Sequence, residues 1–183
     1  MRGSNELLHG LPLYLPDGAS LHREDVTPRH LSYMPPVTSP LYNRDILRLA
    51  ASIPHLGRLK APQARVERTS PVCGSRVAVD LIVDETGRVS ALAQEVRACA
   101  LGQAAASLMG AHAPGRTLSE LEQARDVLAG FLAGQRDDPG EWPGLGVFEV
   151  ARAYPARHAS ILLAFEAVAE AAAKAGSRTE AGG

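Results

Sequence analysis

The sequence is short of aromatic residues, of cysteine and of long apolar runs, and each shortage closes off a class of protein. Aromatics are only 4% of the 183 residues although 45% are hydrophobic, so the core is to be built from Leu, Val, Ile and Ala, with Ala-rich helices. Two cysteines, Cys73 and Cys99, leave no disulfide framework and fit a reducing compartment, the cytoplasm. No apolar run reaches the ~18 residues of a membrane span. Residues Met1–Gly10 lack the charged-then-apolar order and the small-residue cleavage site of a secretory leader. Charge of one sign is missing too. The 19 basic and 20 acidic residues are mixed, the net charge is −1, and no basic stripe offers itself to nucleic acid. There is no Ser/His/Asp or paired-carboxylate constellation. Gly144-Leu145-Gly146 lacks the further glycine and the preceding strand of a phosphate loop.

What is present divides in three. Residues 1–40 hold six of the 13 prolines (Pro12, Pro16, Pro28, Pro35, Pro36, Pro40) without a sustained period, and are read as an irregular, mobile extension. A domain is expected over 41–175, and a flexible tail over 176–183. Asn43 caps a first helix whose Ile46, Leu47 and Ala50 share a face. Arg76–Asp84 alternates, placing Val77, Val79, Leu81 and Val83 on one side of a strand; Glu85-Thr86-Gly87 turns the chain into a second strand, Arg88–Val96. Ala64–Thr69 supplies a third. Helices are then expected over Leu101–Ala111, from the capping box Thr117-Leu118-Ser119-Glu120 to Gly134, and over Ala156–Lys174 with Ile161, Phe165, Val168 and Ala172 inward. Between the last two lies a polar loop, Arg136–Gly146, with Trp142 as its anchor. The fold class is α+β: a small antiparallel three-stranded sheet with helices packed on one face.

The chemistry rests on the cysteines. Cys73 stands in Ser70-Pro71-Val72-Cys73-Gly74-Ser75, where Pro and Gly hold open a turn before the first hairpin strand. Cys99 stands where the second strand passes into a helix, and a helix N-terminus favours a thiolate. Spacing alone leaves a second reading open, two small buried apolar residues.

Taken in order, the motifs resemble the NifU/IscU/SufU family of iron–sulfur cluster assembly scaffolds. Ser-Pro-Val-Cys-Gly-Ser at 70–75 is similar to that family's Pro-x-Cys-Gly-Asp. Cys99 with the small-residue run to Met109 resembles its second cysteine and helix start. Gly115-Arg116-Thr117-Leu118 is similar to its Gly-Lys-Ser-Leu, Tyr42 with Pro54-His55-Leu56-Gly57 to its opening helix and loop, and Tyr154-Pro155-Ala156-Arg157 to the segment before its last cysteine. The resemblance implies a non-enzymatic scaffold or carrier. It would bind iron or a transient [2Fe–2S] cluster through Cys73 and Cys99 and take sulfur from a cysteine desulfurase. A frataxin-like protein, acceptor apoproteins and a second copy in a homodimer are the further partners implied. It also implies departures. Ser75 stands at the aspartate position, and the last cysteine falls on Ser160 in one alignment and on Ala159 in another. In the second alignment His158 matches a family histidine and becomes a third metal ligand. Three N/S ligands fall short of the four that a closed zinc site uses, so zinc is the less favoured metal. Two alternatives stand beside the scaffold: a cluster-free regulatory or docking protein on the same fold, and a zinc-dependent sulfurtransferase.

Overall fold

The computed structural model describes residues 40–181; the extension expected over 1–40 lies, Pro40 aside, outside the described residues. Three strands, β1 (Ala64–Thr69), β2 (Arg76–Val83) and β3 (Val89–Arg97), form one antiparallel sheet in the order β1-β2-β3. The alternation over β2 is what sets its faces. Val77, Val79, Leu81 and Val83 are all buried. Their partners Val96, Gln94 and Leu92 on β3 continue the same face, with a register shift at Ile82/Val83. In the hairpin turn the Asp84 carboxylate accepts from the N–H groups of Thr86 and Arg88, at 2.9 and 3.0 Å. Asp80 points to the opposite face and is nonetheless fully buried, because Leu59 N–H and the Arg65 guanidinium reach it at 3.1 and 2.7 Å. The Leu59 bond tethers the loop between α1 (Arg44–Ala50) and β1 to the sheet, and the Arg65 bond joins β1 to β2.

The helices cover the valine face. Asn43 caps α1 by accepting from Ile46 N–H at 3.0 Å. Ile46 is buried as expected, but Leu47 is 49% exposed: one residue turns a helix by about 100°, and this seven-residue helix meets only a narrow contact along α2 (Ala100–His112). Small residues let α2 run nearly enclosed, with Leu101 to Gly110 buried except Gln103. Gln94 stitches it to the sheet, its amide donating to Ala106 O at 3.1 Å and to Pro54 O at 2.8 Å. The capping box forms at the start of α3 (Leu118–Leu132), whose buried side carries Leu121, Ala124, Leu128, Phe131 and Leu132.

The last helix, α4 (Pro155–Ala181), packs on β1, β2, α2 and α3, with Ile161, Phe165, Val168 and Ala172 inward. Pro155 suits its first position, where no N–H is needed. The helix does not stop at Lys174. Residues 176–181, expected as flexible tail, are helical, carried by an alanine-rich run and the Glu170–Lys174 pair at 2.7 Å. The approach to α4 holds an element that the reading of a polar loop over Arg136–Gly146 did not include. A 3-10 helix spans Leu145–Ala151 and buries Leu145, Phe148 and Ala151, whose i, i+3 spacing puts them on one edge. Trp142 anchors the preceding loop, donating from Nε1 to Leu108 O at 3.2 Å and meeting Phe165 edge-on at 5.4 Å. No helix among the described residues is long and apolar enough to cross a membrane.

Candidate functional site

Four residues from three parts of the chain meet where β2 begins and where α2 and α4 begin. Cys73 lies on the turn joining β1 to β2. Ser70 N–H donates to Ser75 O at 2.8 Å and Gly74 N–H to Ser70 O at 3.0 Å, closing that turn, and Gly74 takes the left-handed φ of +67° it requires. Pro71, Val72 and Gly74 are exposed, while Ser75 is folded under and buried. Cys99 is the residue that caps α2, with extended backbone and no side-chain cap bond, so its sulfur is free to face elsewhere. Ser160 sits one turn into α4 and is fully buried.

These side chains form one hydrogen-bonded row. Cys73 Sγ donates to Ser75 Oγ at 3.1 Å, Ser160 Oγ donates to Ser75 Oγ at 3.1 Å, and Cys99 Sγ lies 3.2 Å from Ser160 Oγ. In the last bond either the Cys99 thiol or the Ser160 hydroxyl can be the donor. A row of hydroxyls can point its protons one way or the other, so it supports a thiolate at either end. The Cys73 thiol is lowered to about 7, chiefly by hydrogen bonds from the Ser70 and Ser75 hydroxyls, with Ser75 N–H and Ser160 adding to them against an opposing effect of burial. Ser160 thereby touches Cys99 directly and Cys73 through Ser75.

Close packing of helices holds the row together. Gly102, in the first turn of α2, leaves room for α4: a Cβ there would lie 2.7 Å from Ser160 Oγ and 3.0 Å from Ser160 O. Any larger residue would push the two helix starts, and with them Cys99 and Ser160, apart.

The arrangement sorts the residues singled out from the sequence. It brings Cys73 and Cys99 together. It also picks Ser160 as the residue facing them, in favour of the alignment made from Pro155. It does not bring His158 to the sulfurs: His158 Nε2 lies 2.9 Å from Ala151 O, tying α4 to the end of the 3-10 helix. Among the described residues, no group of three or more His, Cys, Asp or Glu is placed to hold a metal ion. The donors here are two sulfurs and two neutral hydroxyls, a set that offers two strong ligands to a soft metal. A separate cleft of about 350 Å³, lined by Arg116, Glu120, Arg136, Asp138 and Trp142 among others, contains neither cysteine. Its cations are paired, Arg116 with Glu120 at 3.0 Å and Arg136 with Asp138 at 3.2 Å.

Residues 41–138 match the family model described as the NifU-like N-terminal domain. Among solved structures, the chain is similar to a nitrogen-fixing NifU-like protein (N-terminal) from Brucella abortus, with 38% identity over 76% of this chain and 96% of that one and a TM-score of 0.72. It also shares the fold of a candidate iron–sulfur cluster assembly scaffold protein for the SUF system from Fervidobacterium islandicum AW-1, at 19% identity over 72% of this chain and 96% of that one, TM-score 0.64. No curated protein matches the sequence.

Proposed function

Since the chain belongs to the NifU-like N-terminal domain family of iron–sulfur cluster assembly scaffolds, we propose that it carries a nascent cluster on Cys73 and Cys99. The cargo is iron and sulfide, the sulfur coming from a cysteine desulfurase and the product passing to acceptor apoproteins in the cytoplasm. The protein itself is a scaffold and not an enzyme. The observation that carries the reading is the row of hydrogen bonds joining Cys73, Ser75, Ser160 and Cys99. It brings two cysteines distant in sequence to one spot at the surface of the domain.

The residues present divide the work as follows. Cys73, on an exposed turn, is the sulfur a partner reaches first; Cys99, at the start of α2, is the second ligand. Ser75 and Ser160 do not ligate. Their hydroxyls steady whichever sulfur is ionised while the cargo is absent. Two thiolates fill two of the four cysteine positions of a [2Fe–2S] cluster, and a second copy of the chain supplies the others. A site half filled by each partner also suits release, since separation of the pair breaks the coordination.

Anaerobic reconstitution with ferrous iron and sulfide tests this. The unmodified protein is expected to gain visible absorbance and to hold about half a [2Fe–2S] cluster per chain, as a cluster shared between two chains requires. Cys73→Ser and Cys99→Ser are each expected to abolish it. A colourless protein that retains no iron would overturn cluster carriage. The second reading, a cluster-free docking protein on the same fold, would then stand on the two hydroxyls where ligands would be needed.

A further inference from the structure

We propose that Cys73 and Cys99 act as a dithiol sulfur relay, in which a persulfide received on one cysteine is resolved by the other to release hydrosulfide within the site. This rests on the reading that the site receives persulfide sulfur, and it goes beyond that reading by assigning the reduction of that sulfur to this chain.

Two observations carry it. One is proximity: Cys73 Sγ lies 3.1 Å from Ser75 Oγ, Ser75 Oγ 3.1 Å from Ser160 Oγ, and Ser160 Oγ 3.2 Å from Cys99 Sγ, so two adjoining hydroxyls join the two sulfurs. The other is the chemistry of the remaining positions. Ser75 and Ser160 are buried hydroxyls, which can hydrogen-bond to sulfur anions but are weak partners for iron or zinc. A site with two thiols, two hydroxyls and, among the described residues, no third ligand is better equipped for exchange between sulfurs than for gripping a metal alone. Both sulfurs are partly exposed, in different settings. Cys73 sits on a turn whose neighbours Val72 and Gly74 are exposed, whereas Cys99 is set at a helix start packed against α4.

The steps balance. The Cys73 thiolate attacks the outer sulfur of a donor persulfide R–S–SH; the donor's S–S bond breaks, R–S⁻ leaves, and Cys73–S–SH forms. The Cys99 thiolate then attacks Cys73 Sγ. The persulfide S–S bond breaks with its electron pair on the outer sulfur, which leaves as HS⁻, and a Cys73–Cys99 disulfide remains. One sulfur atom has gained two electrons and the cysteine pair has lost two. A dithiol reductant resets the pair by exchange, taking the disulfide onto itself. Closing the disulfide requires the sulfurs to approach to about 2.05 Å.

The test uses the full chain, anaerobic and free of iron, treated with inorganic polysulfide and then desalted. The unmodified protein is expected to lose two hydrogens in mass, to map as an intramolecular Cys73–Cys99 disulfide, and to retain little cyanide-reactive sulfur. Cys99→Ser is expected to keep a Cys73 persulfide, with about tenfold more retained sulfur than the unmodified chain, because exchange has no second thiol to complete it. A dithiol should restore both thiols in the unmodified protein. Persulfide that persists on the unmodified chain, or a disulfide that links two chains, overturns the relay; this readout requires neither variant. The reconstitution experiment separates the two ideas. A cluster that assembles alongside persistent persulfide sinks the relay and leaves the scaffold, whereas the mapped disulfide without any cluster leaves the relay and sinks cluster carriage.

Discussion

Ser75 and Ser160 show how much one atom decides at the scale of a residue. A hydroxyl keeps its proton at neutral pH and offers a metal only a neutral oxygen, where a thiolate or carboxylate offers charge. Loss of even an outer partner of a ligand typically costs 10–100-fold in metal affinity. Restoring two direct ligands should therefore do more. The double substitution Ser75→Asp with Ser160→Cys is expected to raise zinc affinity by more than about 100-fold and to give one tightly held zinc per chain, measured by competition with a coloured chelator. An unchanged affinity would mean that the four side chains do not converge on one point. Part of this site was legible beforehand. The Pro-x-Cys-Gly motif singled out Cys73 and Ser75, because a short turn keeps its residues in order. The choice between Ser160 and Ala159 was not legible, since adjacent helix positions differ by about 100° and only packing says which one faces inward.

At the scale of an element, the start of α3 carries a reciprocal cap built from residues three apart in the chain. Thr117 Oγ1 accepts from Glu120 N–H at 3.4 Å and the Glu120 carboxylate accepts from Thr117 N–H at 2.8 Å. Thr117→Ala is expected to lower stability by about 1 kcal/mol, read from urea unfolding. The Glu120 carboxyl is lowered from 4.5 to about 2 by Thr117 N–H first, then by the Arg116 guanidinium and the Thr117 hydroxyl. A folded pKa below the unfolded one means that its stabilisation is complete at neutral pH and disappears as pH falls from the ordinary glutamate range towards 2. The stability gap between the unmodified protein and Glu120→Gln should accordingly be present at neutral pH and close by about pH 2; a gap independent of pH would exclude the carboxylate as its source. The capping box could be read from the sequence because its partners are three residues apart. The 3-10 helix Leu145–Ala151 could not, because its apolar residues stand among glycines and follow Pro143, a pattern that local rules assign to a loop.

At the scale of the whole molecule, the site depends on how closely α2 and α4 approach. Gly102 permits that approach, and Gly102→Ala brings a Cβ against Ser160 and against Ala98 Cβ at 2.8 Å. The expected cost is about 1–3 kcal/mol, as for other small-to-large changes in packed interiors. The cluster yield in reconstitution should fall with it, because the start of α2 carries Cys99. Gly176→Ala is the control. No atom lies within 4 Å of its Cβ, so it should leave the yield intact and, in a helix, raise stability by up to about 1 kcal/mol. If the two substitutions behave alike, the close helix contact does not shape the site.

Local order was determined by the sequence itself: the strand faces, the hairpin, the capped helix starts, the cysteine turn and the family whose motifs run through residues 41–138. Each depends on residues near one another in the chain, where side-chain period and hydrogen-bond reach are known in advance. Only the tertiary structure decided that His158 turns to the Ala151 carbonyl, that Asp80 is buried under Arg65 and Leu59, and that α4 persists to Ala181. Ser160, far along the chain, lies between the two cysteines for the same kind of reason. These outcomes depend on which surfaces of distant elements are pressed together, and the energy of such contacts belongs to pairs of residues that no local pattern couples.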